Sequence, residues 1–444
     1  MRAKPLLGLA LMMILIVPAT SLSANAVLVP DSPKGKFQIA GAGATFPFPI
    51  IDTWRVEYNA KFPDVTLNYQ SIGSGGGIKL HTEKTVDFGA TDAPLTKAEA
   101  QLATGTLTIP ETIGAITISY NIPEIPQKGL ELTGAIIADI YMGKITKWND
   151  KKIKDLNPEL KLPDKNILVV RRSDGSGTTY GFTDYLSTVS KTWNTNVGKG
   201  KSVAWPVGVG SPGNEGVAAV VRSTPYAIGY VELAYALQSG MTYAFVQNGD
   251  GATFVEPSLE SIASAAAGAS TKLPKAHEDW SQVSIVNSPG KKSYPISSFS
   301  YLLVYEDLSK LSNTDKDKAK TLVHLIHWMI TDGQKSAPSL QYVPLPTEVQ
   351  EIGKEGLARI KFKGEQLFAY DGSGIMSTKP TSTMSKDSKT SKESAMKLKD
   401  TKTSKETLYK SCEKYKDILS KYNVCKKFVD KKMSKTTSLK TSNK

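Results

Sequence analysis

The chain has 444 residues, two cysteines and a formal net charge of +13. Its length allows two domains of ordinary size. Both cysteines, Cys412 and Cys425, fall near the end, so packing must hold the body together without disulfides. The positive charge is equally local: from Asp371 to Lys444 nineteen lysines face eight acids, a net of +11, which leaves only about +2 for residues 1–370. A nucleic-acid-binding reading of the whole protein therefore loses its main support.

In chain order, residues 1–26 read as a secretory signal, with Arg2 and Lys4 as the basic start, an apolar run from Leu6 to Val17, and Ala24-Asn25-Ala26 as the cleavage site. The run is too short to span a bilayer comfortably, and no cysteine stands near the cleavage site to carry a lipid. An extracytoplasmic location, periplasmic or cell-surface, is the expectation. Ile51, Trp54 and Tyr58 give the first helical stripe, and Val65–Gln70 reads as a strand. Further strands are expected at Ala115–Tyr120, Ile167–Arg171 and Ala227–Val231. Helices are expected around Leu132, Ile136 and Ile140, from an Asn214 cap through Arg222, and around Leu322, Leu325, Ile326 and Met329. This alternation predicts an α/β fold with largely parallel sheets, in which ligands bind beyond the carboxyl ends of the strands.

After about Gly374 the pattern stops. Residues 371–406 read as a disordered Ser/Thr/Lys linker, 407–432 as a short amphipathic helical segment marked by Leu408, Cys412, Tyr415, Leu419 and Tyr422, and 433–444 as a disordered end. A straight helix would hold the Cα atoms of Cys412 and Cys425 roughly 20 Å apart, beyond disulfide reach. An internal bridge would need a bend near Asn423; otherwise the thiols are free or pair between chains. The lysines and the helical segment suggest contact with the cell envelope, while a solvated extension fits the composition equally well.

Three segments place glycine beside a hydroxyl residue where a helix should begin: Gly41-Ala42-Gly43-Ala44-Thr45-Phe46-Pro47, Gly73-Ser74-Gly75-Gly76-Gly77 and Asp174-Gly175-Ser176-Gly177-Thr178-Thr179. A helix start offers unpaired N–H groups and a positive dipole end, which suit an anion. The third segment follows Arg171-Arg172. Alone it is equally a strand end with a polar cap. Beside the other two it reads as an oxyanion pocket, with Arg172 as charge partner, Ser176, Thr178 and the Gly177 N–H as donors, and Asp174 holding the guanidinium. Asp92, in Val86-Asp87-Phe88-Gly89-Ala90-Thr91-Asp92-Ala93-Pro94, closes a short strand. It reads either as a surface turn residue or as an acceptor for a proton on the ligand, since an ionised carboxylate can only accept. Monohydrogen phosphate can donate to it and fully ionised sulfate cannot.

Other signals carry less. Gly198-Lys199-Gly200-Lys201-Ser202 fails as a Walker A loop because Thr195 occupies the first glycine's place. His324 and His327 lie three apart on an apolar helix without nearby acidic or thiol ligands, and His81 and His277 show no metal spacing with them. Ser176 lacks a nucleophile elbow, Asp174 standing where its first glycine would be. No metal, no cofactor and no catalytic residue are expected.

These segments resemble the extracytoplasmic phosphate-binding proteins of ABC-type phosphate importers, over about residues 37–365. The resemblance rests on Ala42–Pro47, Val86–Ala90, Asp139-Ile140-Tyr141-Met142-Gly143-Lys144-Ile145, Val169–Thr178 and Ala227-Ile228-Gly229-Tyr230-Val231-Glu232. It implies phosphate held by Thr45, Phe46 through its backbone, Ser74, Asp92, Arg172, Ser176, Gly177 through its backbone, and Thr178. It further implies a type II periplasmic-binding-protein-like fold with a cleft between two lobes, one of residues 27–116 and 292–370 and the other of residues 117–291, crossing near Ile116–Tyr120 and Ile296–Tyr301. Hinge closure around the ion would present a monomer to a membrane permease. The tail inherits nothing from this resemblance. A site for sulfate or molybdate, or a secreted phosphatase-like enzyme, remains the alternative.

Overall fold

The computed structural model describes residues 29–251, 253–267 and 273–370. The expected signal, linker, terminal helical segment, both cysteines and the tail's envelope contact lie outside these residues. The elements run β1 (Phe37–Gly43), α1 (Phe48–Lys61), β2 (Val65–Ser71), α2 (Ser74–Thr82), β3 (Phe88–Thr91), α3 (Lys97–Leu102) and β4 (Thr106–Tyr120). Next come β5 (Glu131–Leu132), α4 (Gly134–Tyr141), α5 (Lys151–Leu156), β6 (Leu168–Arg172), α6 (Gly177–Val189), α7 (Lys191–Asn196), β7 (Val209–Ser211) and α8 (Gly213–Ser223). The chain continues through β8 (Ala227–Glu232), α9 (Leu233–Gln238), β9 (Thr242–Tyr243), β10 (Phe245–Gln247), β11 (Phe254–Val255), α10 (Leu259–Ala267), β12 (Ser297–Tyr305), α11 (Lys316–Ile330), α12 (Thr347–Ala358), β13 (Lys361–Phe362) and β14 (Glu365–Gln366).

The main sheet has the order β2-β1-β3-β12-β4-β8-β6-β7, with β9 beside β4. Its two flanks are parallel, β1 with β2 and β3, and β6 with β7 and β8. Its centre is not: β12 runs antiparallel to β3 and β4, and β4 runs antiparallel to β8. The expectation of largely parallel sheets thus holds only at the flanks. One long strand bridges them, for residues 106–115 of β4 pair with β12 and residues 116–120 with β8. The core fills both sides, with Trp54, Tyr58, Trp148, Tyr185, Trp193 and Tyr305 fully buried.

Several local readings change. The strand expected at Ala115–Tyr120 begins at Thr106, because the polar and breaking residues Glu111, Pro110 and Gly114 are all taken inside the sheet. Leu132 belongs to β5 and pairs across to Val246, since the Thr133 hydroxyl caps α4 by accepting from Ile136 N at 3.2 Å. Asn214 does not cap α8. That helix starts at Gly213 with Pro212 at its N-cap, which turns the Asn214 side chain inward.

Candidate functional site

The three glycine/hydroxyl segments lie at helix starts beyond the carboxyl ends of parallel strands. Thr45 and Phe46 join β1 to α1, Ser74 opens α2 after β2, and Ser176 caps α6 just past β6, its Oγ accepting from Thr179 N at 3.0 Å. Asp92 follows β3 directly, as its position in the sequence predicts. Thr45, Ser74, Asp92, Arg172, Ser176 and Thr178 are each at most 2% exposed. The side chains converge. The Gly177 N–H donates to Ser74 Oγ at 3.0 Å, and the Asp92 N–H to the same oxygen at 3.2 Å. Arg172 Nη1 donates to Thr178 Oγ1 at 3.4 Å. Phe46 differs: its ring is buried edge-on to Tyr342, and its carbonyl accepts from the Tyr342 hydroxyl at 2.6 Å.

Two glycines are dictated by this closeness. Gly73 sits at φ +84° against Asp174 and the Gly175 carbonyl. A Cβ on Gly177 would lie 2.5 Å from Asp92 Cβ and 2.6 Å from Ser74 Oγ. The neighbouring Gly75 N–H donates to the Gly175 carbonyl at 2.8 Å, tying the start of α2 to the turn before α6.

Asp174 holds the guanidinium as expected. Arg172 Nε donates to Asp174 Oδ1 at 2.7 Å, and Nη2 pairs with Oδ2. Burial works against the charge on Arg172, but the hydrogen bond and charge of Asp174 outweigh it and raise its pKa. Asp174 is itself disfavoured by burial, yet Arg172 and the Gly213 N–H hold it below the usual carboxylate range. Asp92 has the opposite balance. Burial pushes it up to about 7, against the pull of Ser300, Arg172 and Ser74.

Some residues of this cluster were given no part in the anion site by the sequence. Asn214 is second in α8, and its amide Nδ2 donates to Thr45 Oγ1 at 2.8 Å and to Thr178 Oγ1 at 3.1 Å. It sits at a fourth strand-to-helix turn, Ser211-Pro212-Gly213-Asn214, so the same glycine/polar signal was available for it. The Tyr235 hydroxyl donates to the Thr45 carbonyl at 2.6 Å, and Lys201 Nζ to Glu99 Oε2 at 2.8 Å. The Lys201 carbonyl also accepts from Ser176 N at 2.9 Å. Glu111 and Ser300 lie behind Asp92. Nothing in the sequence pattern marks these last partners.

The histidines stand apart from this cluster. His324 Nδ1 bonds the Tyr58 hydroxyl at 2.7 Å, and His81 stacks on Tyr305 with its pKa driven by burial down to about 3. Chemically, the cluster offers hydroxyls, helix-start N–H groups and one paired guanidinium, set around one carboxylate acceptor. A tetrahedral oxyanion that still carries a proton matches that set.

Residues 29–332 match the model of the PBP superfamily domain. The phosphate-binding protein PstS of Haemophilus influenzae is 46% identical over 312 residues, which span 70% of this chain and 90% of that protein. PstS of Methanocaldococcus jannaschii is 38% identical over 379 residues, 81% of this chain and 96% of that protein. Among solved structures, a phosphate-binding protein from Stenotrophomonas maltophilia aligns at a TM-score of 0.53 and 18% identity, over 71% of this chain and 92% of that one, a likeness of fold.

Proposed function

The chain belongs to the PBP superfamily and to its PstS family of phosphate-binding proteins, and on that premise we propose that the buried cluster around Arg172 and Asp92 is its phosphate site. The protein binds inorganic phosphate and serves an ABC-type phosphate importer. Thr45, Ser74, Arg172, Ser176, Thr178 and the backbones of Phe46 and Gly177 hold the ion's oxygens, Asp174 fixes the guanidinium, and Asp92 accepts the ion's proton. The observation that carries this reading is a carboxylate within a ring of buried donors, beside an arginine already paired in two places. Each donor to a charged oxygen contributes about 1.5–3 kcal/mol.

Two lobes, residues 27–116 with 292–370 and residues 117–291, close on the ion. Supporting this are the change of partner along β4 and the contacts that would bridge the lobes: Gly75 to Gly175, Asn214 and Tyr235 to Thr45, and Lys201 to Glu99. The closed monomer is what a permease would receive, outside the cytoplasm, and the protein breaks no bond. Calorimetric titration of phosphate-stripped protein tests the reading. One-to-one phosphate binding without a sulfate response is expected, and turnover of a chromogenic phosphate ester by the same sample would overturn the non-enzymatic part. A sulfate response equal to phosphate would overturn the role of Asp92.

A further inference from the structure

Asp92 uses its two carboxylate oxygens differently. Oδ2 lies 3.5 Å from Ser74 Oγ, among the donors of the site, while Oδ1 accepts from Ser300 Oγ at 2.9 Å. The same Ser300 Oγ lies 2.9 Å from Oε1 of Glu111, a residue with no solvent exposure. A fold device brings Glu111 there. The pairing of β4 with β12 slips at Ser300 and Tyr301: Ser300 faces Thr112 and Tyr301 faces Pro110, so Glu111 is the extra residue of a β-bulge. Bulges re-aim side chains, and Pro110 has no N–H to give to the ladder.

A hydroxyl has one proton. With Asp92 and Glu111 both ionised, Ser300 could satisfy one of them, and the other would face a bare lone pair in a dry interior beside a like charge. The Asp92–Ser300–Glu111 chain therefore needs a second proton. We infer that Glu111 carries it: its carboxylic acid donates to Ser300 Oγ, Ser300 donates to Asp92 Oδ1, and Asp92 is left as an ionised acceptor with Oδ2 toward the ligand. Glu111 is then a positioning residue that sets the charge state of the selective group without touching the ion. The inference rests on the phosphate reading for its functional consequence.

The surroundings decide which carboxyl is neutral. Arg172 from β6 favours charge on Asp92, with Asp174 beyond it opposing, while the charge felt by Glu111 is the repulsive one of Asp92. Tyr69 on β2, Tyr235 on α9, Tyr301 on β12 and Tyr342 before α12 lie within electrostatic reach of Asp92, Tyr69 within that of Glu111 as well, and burial raises all four far from ionisation. Among the described residues Glu111 Oε2 has no hydrogen-bond partner, as suits the carbonyl oxygen of an acid better than an anion. Burial raises Glu111 to about 8 and Asp92 to about 7, the same order.

Glu111→Gln tests this, because a glutamine amide donates to Ser300 as the acid does but cannot titrate. Ligand-free protein at neutral pH should show a carbonyl stretch of a buried carboxylic acid that Glu111→Gln removes; an unchanged infrared spectrum overturns the inference whether or not phosphate binds. Phosphate affinities should match near neutral pH. Above the upper titration of the pair, wild type should weaken about tenfold per pH unit relative to Glu111→Gln, the ion's own titration cancelling in the ratio. Parallel profiles, or a Glu111→Gln protein weakened equally at every pH, overturn it. Calorimetry of wild type in buffers of differing ionisation heat needs no variant: about one more proton should be taken up per phosphate above that titration than below it, after the ion's own protons. No extra uptake overturns the inference. Failure of wild type to bind phosphate at all would instead refute the functional reading.

Discussion

Replacing Asp92 with asparagine should trade phosphate for sulfate. Ser300 donates to Asp92 Oδ1 at 2.9 Å, so in Asp92→Asn the amide oxygen stays on that side and the Nδ2 group takes the place of Oδ2, near Ser74 Oγ. An acceptor becomes a donor at the one point where the ligand must give a proton. Phosphate loses a charge-assisted hydrogen bond of about 1.5–3 kcal/mol, roughly a 10- to 150-fold weaker Kd. Sulfate loses a charge repulsion and gains a donor, so its Kd should fall to within about tenfold of that for phosphate. Folding should not confuse the result. The Asp92 pKa rises from 3.8 to about 7 in the native state. Its stabilising contribution is therefore present below pH 3.8 and lost as pH rises through 7, and asparagine escapes that loss. Calorimetric titration with both anions, alongside thermal unfolding, reads all three effects. A variant that unfolds like wild type, binds phosphate as tightly and still ignores sulfate would refute the reasoning.

Two more substitutions probe the frame around the ion. Gly177→Ala puts a methyl 2.5 Å from Asp92 Cβ and 2.6 Å from Ser74 Oγ; phosphate affinity should drop at least about 100-fold and stability by about 1–3 kcal/mol, as overpacking does. An alanine variant that binds normally would show that these groups are not held together around the ligand. Lys201→Met removes the ion pair to Glu99, whose side chains are 15% and 25% exposed, and keeps the carbonyl that accepts from Ser176 N. About 1 kcal/mol is at stake, so stopped-flow phosphate release should speed up about fivefold, and an unchanged release rate would remove this pair from closure.

What the sequence disclosed follows from how locally each feature is encoded. A helix start with glycine and a hydroxyl is written in consecutive residues, so Thr45, Ser74 and Ser176 were legible. Asp92 followed from its place at the end of a strand of four residues. Asn214 was half legible. Its helix was expected, but Pro212 at the N-cap turns the amide from capping toward Thr45 and Thr178, which only the packing of α8 decides. The first nine residues of β4 were missed because Glu111 and Pro110 break every strand pattern, and a bulge is what admits them. Ser300 lies 208 residues from Asp92 and 189 from Glu111, so no spacing could join them.

On the proposed reading, the arrangement lets a body that carries only about +2 of the chain's +13 charge hold a dianion without a surplus of cations at the site. Arg172 and Asp174 largely cancel, and Asp92 adds a negative charge beside a ligand that is itself negative. At about 4 Å and an effective dielectric constant of about 20, each pair of like charges costs about 4 kcal/mol. In the proposed site, one such repulsion between Asp92 and the ion is offset when the ion's proton lies between them, and that requirement would be the source of selectivity. A second, from an ionised Glu111, would have no proton to offset it. The protonated Glu111 therefore follows from the same electrostatics as the choice of phosphate: the site can carry one bare carboxylate, aimed at the ligand's proton, and must keep the other one neutral. What remains attractive comes from hydroxyls and helix-start N–H groups, fixed dipoles that need no counter-charge and are screened little by salt once buried.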